Sequence, residues 1–314
     1  MLSRTADSLF WLARYVERAE NLARIIDVAA RLATVPLEIA DSTNEWESAL
    51  ISAGCADAYF DLHKNATRRN VIDFLAFSPD NPSSIRNCLE LARTNARAVR
   101  TALTADMWDT INTAWIEMQE LQPGAMRARE LSAFLNWVKE ISVRFDGFAN
   151  RTMLRRDTFY FARMGMYLER ADNTARILDV KYHILLPEDV SVGGGYDYYQ
   201  WTAILRGVSA LTAYHWLYRD SIKPWLVADM LILRPEMPRS LIACYDNVTL
   251  FLDRLAREYG QQGESQRFAR SIHTKLQNQR TDAIFKIGLH QFLQDFISDN
   301  ARLGSTIAEQ YLLS

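Results

Sequence analysis

Much of what other folds and chemistries require is missing from this sequence. It has only three cysteines, Cys55, Cys88 and Cys244, with no paired spacing for zinc or a redox motif. Its stability therefore does not rest on a disulfide framework, and a reducing compartment fits. No stretch approaches the roughly 20 apolar residues of a membrane span. The opening Met1-Leu-Ser-Arg-Thr-Ala-Asp7 carries no secretion-like apolar core, so a cytoplasmic location is expected. Alternating strand patterns flanking a hairpin dipeptide are absent, which points away from β-structure. Charge of one sign is lacking too: 36 basic against 38 acidic residues give a formal net charge of −2. No global field recruits nucleic acid or an anionic membrane. The most basic local series, Arg144, Arg151, Arg155, Arg156 and Arg163, reads as a solvated helical face.

Signatures of catalysis are missing as well. There is no G-x-S-x-G nucleophile elbow. None of His63, His183, His215, His273 and His290 has a glutamate three positions before it, so the Glu-x-x-His pairs of a di-iron bundle are lacking. Asp179 and His183 have helical i, i+4 spacing, but the position matching His183 in the earlier repeat described below is Arg31. No metal or cofactor is expected. Gly193-Gly-Gly195 has neither a preceding strand nor a P-loop lysine, and reads as a connector. Of the aromatic residues after it, Trp201 matches Trp46 and is expected to pack.

What the sequence does contain is a repeat. Tyr15-Val-Glu-Arg-Ala-Glu-Asn-Leu-Ala-Arg-Ile-Ile-Asp-Val28 returns as Tyr167-Leu-Glu-Arg-Ala-Asp-Asn-Thr-Ala-Arg-Ile-Leu-Asp-Val180, with ten of fourteen positions identical at an offset of 152. Met1-Leu-Ser-Arg4 is echoed by Met153-Leu-Arg-Arg156. Trp46, Leu50, Ala58 and Tyr59 recur as Trp201, Leu205, Ala213 and Tyr214. Further on, Asp73, Leu75, Pro79, Pro82, Ser84 and Cys88 recur as Asp229, Leu231, Pro235, Pro238, Ser240 and Cys244. Self-similarity over such a span marks a duplicated unit. The expected organisation is one all-α domain over 1–314, a multi-helix bundle built from repeats 1–152 and 153–314.

Helix signals place long helices at 3–34, 46–64, 70–77, 84–103, 106–121, 127–150 and 155–183, then near 198–219, 221–234, 238–259, 264–279 and 282–312. Val35-Pro36, the Asp41-Ser-Thr-Asn44 cluster and Pro187 mark boundaries between them. On the first of these helices Tyr15, Val16, Ala19, Leu22, Ala23 and Ile26 form a core-facing arc. Glu17, Glu20, Asn21, Arg24 and Asp27 form the opposite one. Solvent would not oblige two copies to keep the same polar residues, so both polar arcs are expected to meet protein or ligand.

Two chemistries fit those arcs. In one, Glu17 and Arg24, or Glu169 and Arg176, pair across helices, with Glu20 and Arg24 also at i, i+4 spacing. In the other, the glutamates and arginines line a cleft that binds an anionic or amino-acid-like group, with Glu17 or Glu169 as acid/base. The candidate ligand-binding or inter-repeat cluster is Arg4, Arg18, Asn21, Arg24, Arg156, Arg170, Asn173 and Arg176. Cys88 and Cys244 match each other but have no matched histidine, and read as small buried hydrophobes.

Together with Asn95-Ala-Arg-Ala-Val-Arg100, Met107-Trp108 and Asn112, the opening motif and both Glu-Arg stretches make the whole chain resemble the bacterial alpha-E family, an all-helical family named for its Glu-Arg motif. The family motif falls on Glu17-Arg18 and Glu169-Arg170, with no catalytic assignment attached. The resemblance implies a circularly permuted ATP-grasp protein as partner, and a transglutaminase-like protein as a further candidate partner, in ATP-dependent synthesis or modification of a peptide. The expected role is an accessory helical protein that binds the ligase and its peptide or amino-acid substrate. The alternative is an enzyme acting on an amino acid or peptide, its arginines holding carboxylates.

Overall fold

The structure, a computed structural model, describes residues 2–34, 44–124, 126–183 and 195–312. Among them there are fifteen α-helices and no strand. In chain order these are α1 Ser3–Leu32, α2 Glu45–Ser52, α3 Ala56–Phe60, α4 Arg68–Ala76, α5 Ile85–Ala98, α6 Ala105–Glu120, α7 Ala128–Thr152, α8 Asp157–His183, α9 Gly195–Gly207, α10 Leu211–Tyr218, α11 Pro224–Leu233, α12 Leu241–Tyr259, α13 Glu264–Asn278, α14 Thr281–Ile287 and α15 Leu289–Tyr311. No helix among the described residues is long and apolar enough to cross a membrane.

α1 has no glycine or proline across its 30 residues and is rich in Ala, Leu and Arg, all strong helix formers. It lies at the centre of the molecule beside α8. α5 and α7 pack on α1, while α12 and α15 pack on α8. α6 closes against α5 and α7, and α13 against α12 and α15, so each half surrounds its motif helix in the same way. Hydrogen bonds across the α1–α8 pair link residues 151 to 156 apart. A separation that stays near the repeat offset means the two helices run parallel and in register. Close approach is set by Gly165 of α8, where an added Cβ would overlap the Phe10 carbonyl oxygen of α1.

Matched residues hold matched places. Ser84 caps α5 by accepting from Asn87 N–H at 3.3 Å, and Ser240 caps α12 by accepting from Ala243 N–H at 3.1 Å. The Tyr59 hydroxyl donates to the Asn65 carbonyl and the Tyr214 hydroxyl to the Ser221 carbonyl, both at 2.8 Å. Trp46 and Trp201 are both buried, in keeping with a packing role.

Three expected long helices are broken. The 46–64 helix ends at Ser52 and the 198–219 helix at Gly207, because Gly54 and Ser209 take left-handed φ of +69° and +59°. After them Cys55 N–H reaches back to the Leu50 carbonyl and Ala210 N–H to the Leu205 carbonyl, closing both helices by the same turn. The 282–312 helix breaks at Gly288, with φ of +105°. The boundary signals at Val35-Pro36, Asp41 to Thr43 and Pro187, and the connector residues Gly193 and Gly194, lie outside the described residues. Asn44, the last of its cluster, caps α2 through Oδ1, which accepts from Trp46 N–H and Glu47 N–H.

Candidate functional site

The polar arcs of α1 and α8 face each other. Glu17 and Glu169 are buried, with 1% and 3% of their surface exposed. Arg170 forks onto Glu17, Nε to Oε1 and Nη2 to Oε2, both at 2.9 Å. In return Arg18 forks onto Glu169, Nε to Oε1 at 2.6 Å and Nη2 to Oε2 at 3.1 Å. Each motif glutamate is thus held by the motif arginine of the other half. Planar bidentate pairs of this kind are among the strongest hydrogen-bonded ion pairs.

A second guanidinium completes each carboxylate. Arg14 Nε donates to Glu169 Oε2 at 2.8 Å, and Arg239 Nη1 to Glu17 Oε1 at 3.3 Å. Arg239 also donates through Nη2 to Glu20 Oε1 at 2.5 Å. Neither Arg14 nor Arg239 is repeated: their matched positions hold Met166 and Ser83. Arg239 is anchored through its carbonyl, which accepts from Thr174 Oγ1 at 2.8 Å. Thr174 stands where the first copy has Leu22, so two departures from the repeat touch each other. Nothing in the repeat comparison pointed to Arg239, whose matched position holds Ser83.

The flanking pairs are local. Arg24 holds Glu20 one turn away, at 2.9 Å and 2.6 Å, as the i, i+4 spacing predicts, and Arg176 holds Asp172 at 2.6 Å. Arg24 also reaches the other half, its Nη1 donating to the Gly207 carbonyl at 2.6 Å and to Ser209 Oγ at 3.2 Å. Cross-helix pairing of Glu17 with Arg24 does not occur, since the register puts Arg170 at Glu17 instead. Asn173 Nδ2 donates to the Glu17 carbonyl at 3.4 Å, and Asn21 is buried nearby on α1. Arg4 and Arg156 stand exposed. Arg4 is 13 residues from Glu17 along α1, about 20 Å at 1.5 Å per residue, so neither terminal arginine is brought to the cluster.

Burial pushes the Glu169 carboxyl up, but Arg18 and Arg14 outweigh it and hold the group at about 2. Burial also opposes ionisation of Glu20, which Arg239 and Arg24 hold at about 2. Glu169 correspondingly raises Arg18 above the usual guanidinium range. A general base works best with a pKa near the working pH and a lone pair free for the proton. Held at about 2, these carboxylates lie far below that range.

Cys88 and Cys244 sit beside the Arg18–Glu169 and Arg170–Glu17 pairs respectively, and burial pushes both thiols up to about 12. They pack as small hydrophobes, as their lack of a matched histidine suggested. Asp27 is held by Arg31 and Lys139, and Asp179 by His290 and Gln294. Among the described residues, no group of three or more His, Cys, Asp or Glu is placed to hold a metal. The cavities along α6–α7, along α13 and α15, and beside Pro79 are lined by no member of the Glu-Arg cluster.

Glu17-Arg18 and Glu169-Arg170 are the only Glu-Arg dipeptides in the chain. A family model named Alpha-E, described as a predicted alpha-helical domain with a conserved ER motif, matches residues 1–312. The chain belongs to the Alpha-E family. This Alpha-E chain also matches uncharacterized proteins of Mycobacterium bovis and Mycobacterium tuberculosis, each 32% identical over 117 residues. The match covers 33% of the chain and spans 13% of the length of each relative. No solved structure matches the Alpha-E chain.

Proposed function

We propose that this Alpha-E protein is a non-catalytic helical partner of an ATP-grasp-type amide ligase, working in the cytoplasm and binding the ligase together with its peptide or amino-acid substrate. The observation that carries the reading is the state of the motif carboxylates. All four oxygens of Glu17 and Glu169 accept from guanidinium groups, and both side chains are buried. Such a clasp fixes how two helical halves sit together and commits both motif carboxylates to guanidinium donors, so the motif shapes a binding body. An ATP-grasp ligase joins a carboxylate to an amine through an acyl phosphate. A partner in that system needs to position components and needs no nucleophile of its own.

The test is reconstitution. An ATP-grasp protein encoded in the same genome is assayed for amino-acid-dependent release of ADP, with and without the Alpha-E chain. The proposal expects no turnover by the chain alone and a ligase rate or product length that depends on it. A ligase that binds the chain nowhere and works equally well without it would overturn the proposal. So would turnover by the isolated chain that disappears in Glu17→Gln while folding is retained.

A further inference from the structure

α6 and α7 leave a groove between them on the outer face of the first half. Two cavities open along it, of about 440 and 570 Å³. They share Glu117 and Trp137, whose indole Nε1–H donates to Glu117 Oε2 at 2.7 Å. The floor is apolar and braced from beneath, since Trp137 stacks on Phe134 at 5.9 Å and Phe134 on Phe77 at 5.3 Å. Ile141 and Phe148 continue the floor in the first cavity, Leu121 and Met126 in the second.

The rim carries one sign of charge. Six carboxylates line the two cavities against a single guanidinium, Arg144. Two of the six are already paired, Glu130 with Arg127 at 2.5 Å and Glu140 with Arg144 at 3.3 Å. Asp106, Asp109, Glu117 and Glu120 have no ion pair among the described residues. They stand on α6 as two i, i+3 pairs, a spacing at which like charges repel. A chain with a formal charge of only −2 thus gathers acid without ion-pair partners on one edge, over half-buried aromatic surface.

We propose that the α6–α7 groove is a docking site for a basic amphipathic segment of a partner protein. A lysine or arginine enters the first cavity between the Trp137 ring and the carboxylates of Asp109 and Glu117, where cation–π attraction and ion pairing act together. An apolar side chain fills the second cavity against Phe134 and Met126. The inference is independent of the ligase reading, because it concerns the chemistry of the occupant and not the partner's activity. A second copy of this chain is a poorer occupant. On its exposed α13 face Arg270 and Lys275 are already paired with Asp253 and Asp299.

The experiment uses the full chain with its tryptophan indoles labelled with 15N. The probe is a short amphipathic peptide of lysine and leucine, with a glutamate-for-lysine version as control. The Trp137 indole resonance is identified by its loss in Trp137→Phe. The proposal expects that resonance to shift saturably with the lysine peptide at low salt and not with the control. In the exposed-site variant Asp109→Asn with Glu117→Gln, which keeps an acceptor for the indole, binding weakens by about tenfold or more. No shift, equal shifts with both peptides, or unchanged affinity in the double variant would each overturn it. Sedimentation showing the groove already filled by a second copy would overturn it as well.

Discussion

Glu17 and Arg170 lie 153 residues apart and meet as a two-bond fork at 2.9 Å, while their neighbours Arg18 and Glu169 make the same fork in reverse. Reciprocity of this kind is that of a two-fold pair, and the contact of Phe10 with Gly165, at nearly the same sequence separation, makes the two helices parallel with their motifs at one level. The Glu-Arg dipeptide is therefore half of a clasp whose other half is its own repeat. Taking these charges out of water is costly, and their attraction repays it only with good geometry and every lone pair engaged.

The unrepeated arginines should matter unequally. Arg239→Ser, which installs the residue found at the matched position, removes a partner from both Glu17 and Glu20 and should cost roughly 2 kcal/mol of stability. Arg14→Met removes one bond from Glu169, leaves the Arg18 fork and starts from a more exposed side chain, so it should cost about 1 kcal/mol. Urea denaturation of the two variants gives the order.

Acid should undo the clasp in a defined window. Glu20 and Glu169 sit at about 2 in the folded chain against an ordinary 4.5. A depressed folded pKa gives stability that is present above pH 4.5 and lost as pH falls toward 2, on the order of 3 kcal/mol per group. Asp172 works the other way, because burial raises it and its ionisation at neutral pH opposes folding. The melting temperature should fall steeply between those limits. The fall should be shallower in Glu169→Gln, which starts from a lower value.

Two glycine substitutions inside helices should have opposite signs. Gly165→Ala drives a Cβ into the Phe10 backbone, which cannot swing aside, and should destabilise by about 1–3 kcal/mol. Gly147→Ala in α7 meets nothing within 4 Å and should stabilise by about 0.5–1 kcal/mol. Thermal melts of the pair check both.

The cysteines should be silent. Cys88 and Cys244 are fully buried, and all three thiols are pushed up to about 12. A thiol reagent at pH 8 should leave Cys88 and Cys244 unlabelled in the folded chain, and label all three residues after denaturation. Rapid labelling of either buried thiol would contradict the packing role.

The all-helical fold and the residues of the two forks were legible in the sequence because repetition marks what both halves need. Glu17, Arg18, Glu169 and Arg170 match, and they meet. Repetition also misleads. Arg4 and Arg156 match equally well but sit at exposed ends, since a matched residue carries no information on burial. Conversely, Arg14 and Arg239 were invisible to it because they serve one half each. Helix boundaries failed at left-handed residues, Gly54 and Gly288 as well as Ser209: a lone glycine inside an apolar-periodic stretch does not by itself mark a break, and nothing in a serine announces that φ. The partner of Glu17 could not be read from one helix, because the register between α1 and α8 decides between Arg24 and Arg170.

The central claim is that the motif is a clasp between halves, and a double-mutant cycle on Glu17 and Arg170 tests it most directly. Stability would be measured by urea denaturation for Glu17→Gln, Arg170→Met and the pair together. The clasp predicts single losses of about 3–5 kcal/mol, because each leaves a buried charge without its partner. The double variant should lose much less than their sum, with a coupling of about 1–3 kcal/mol. Losses that simply add, to within about 0.5 kcal/mol, would mean the two side chains do not depend on each other and would contradict the account.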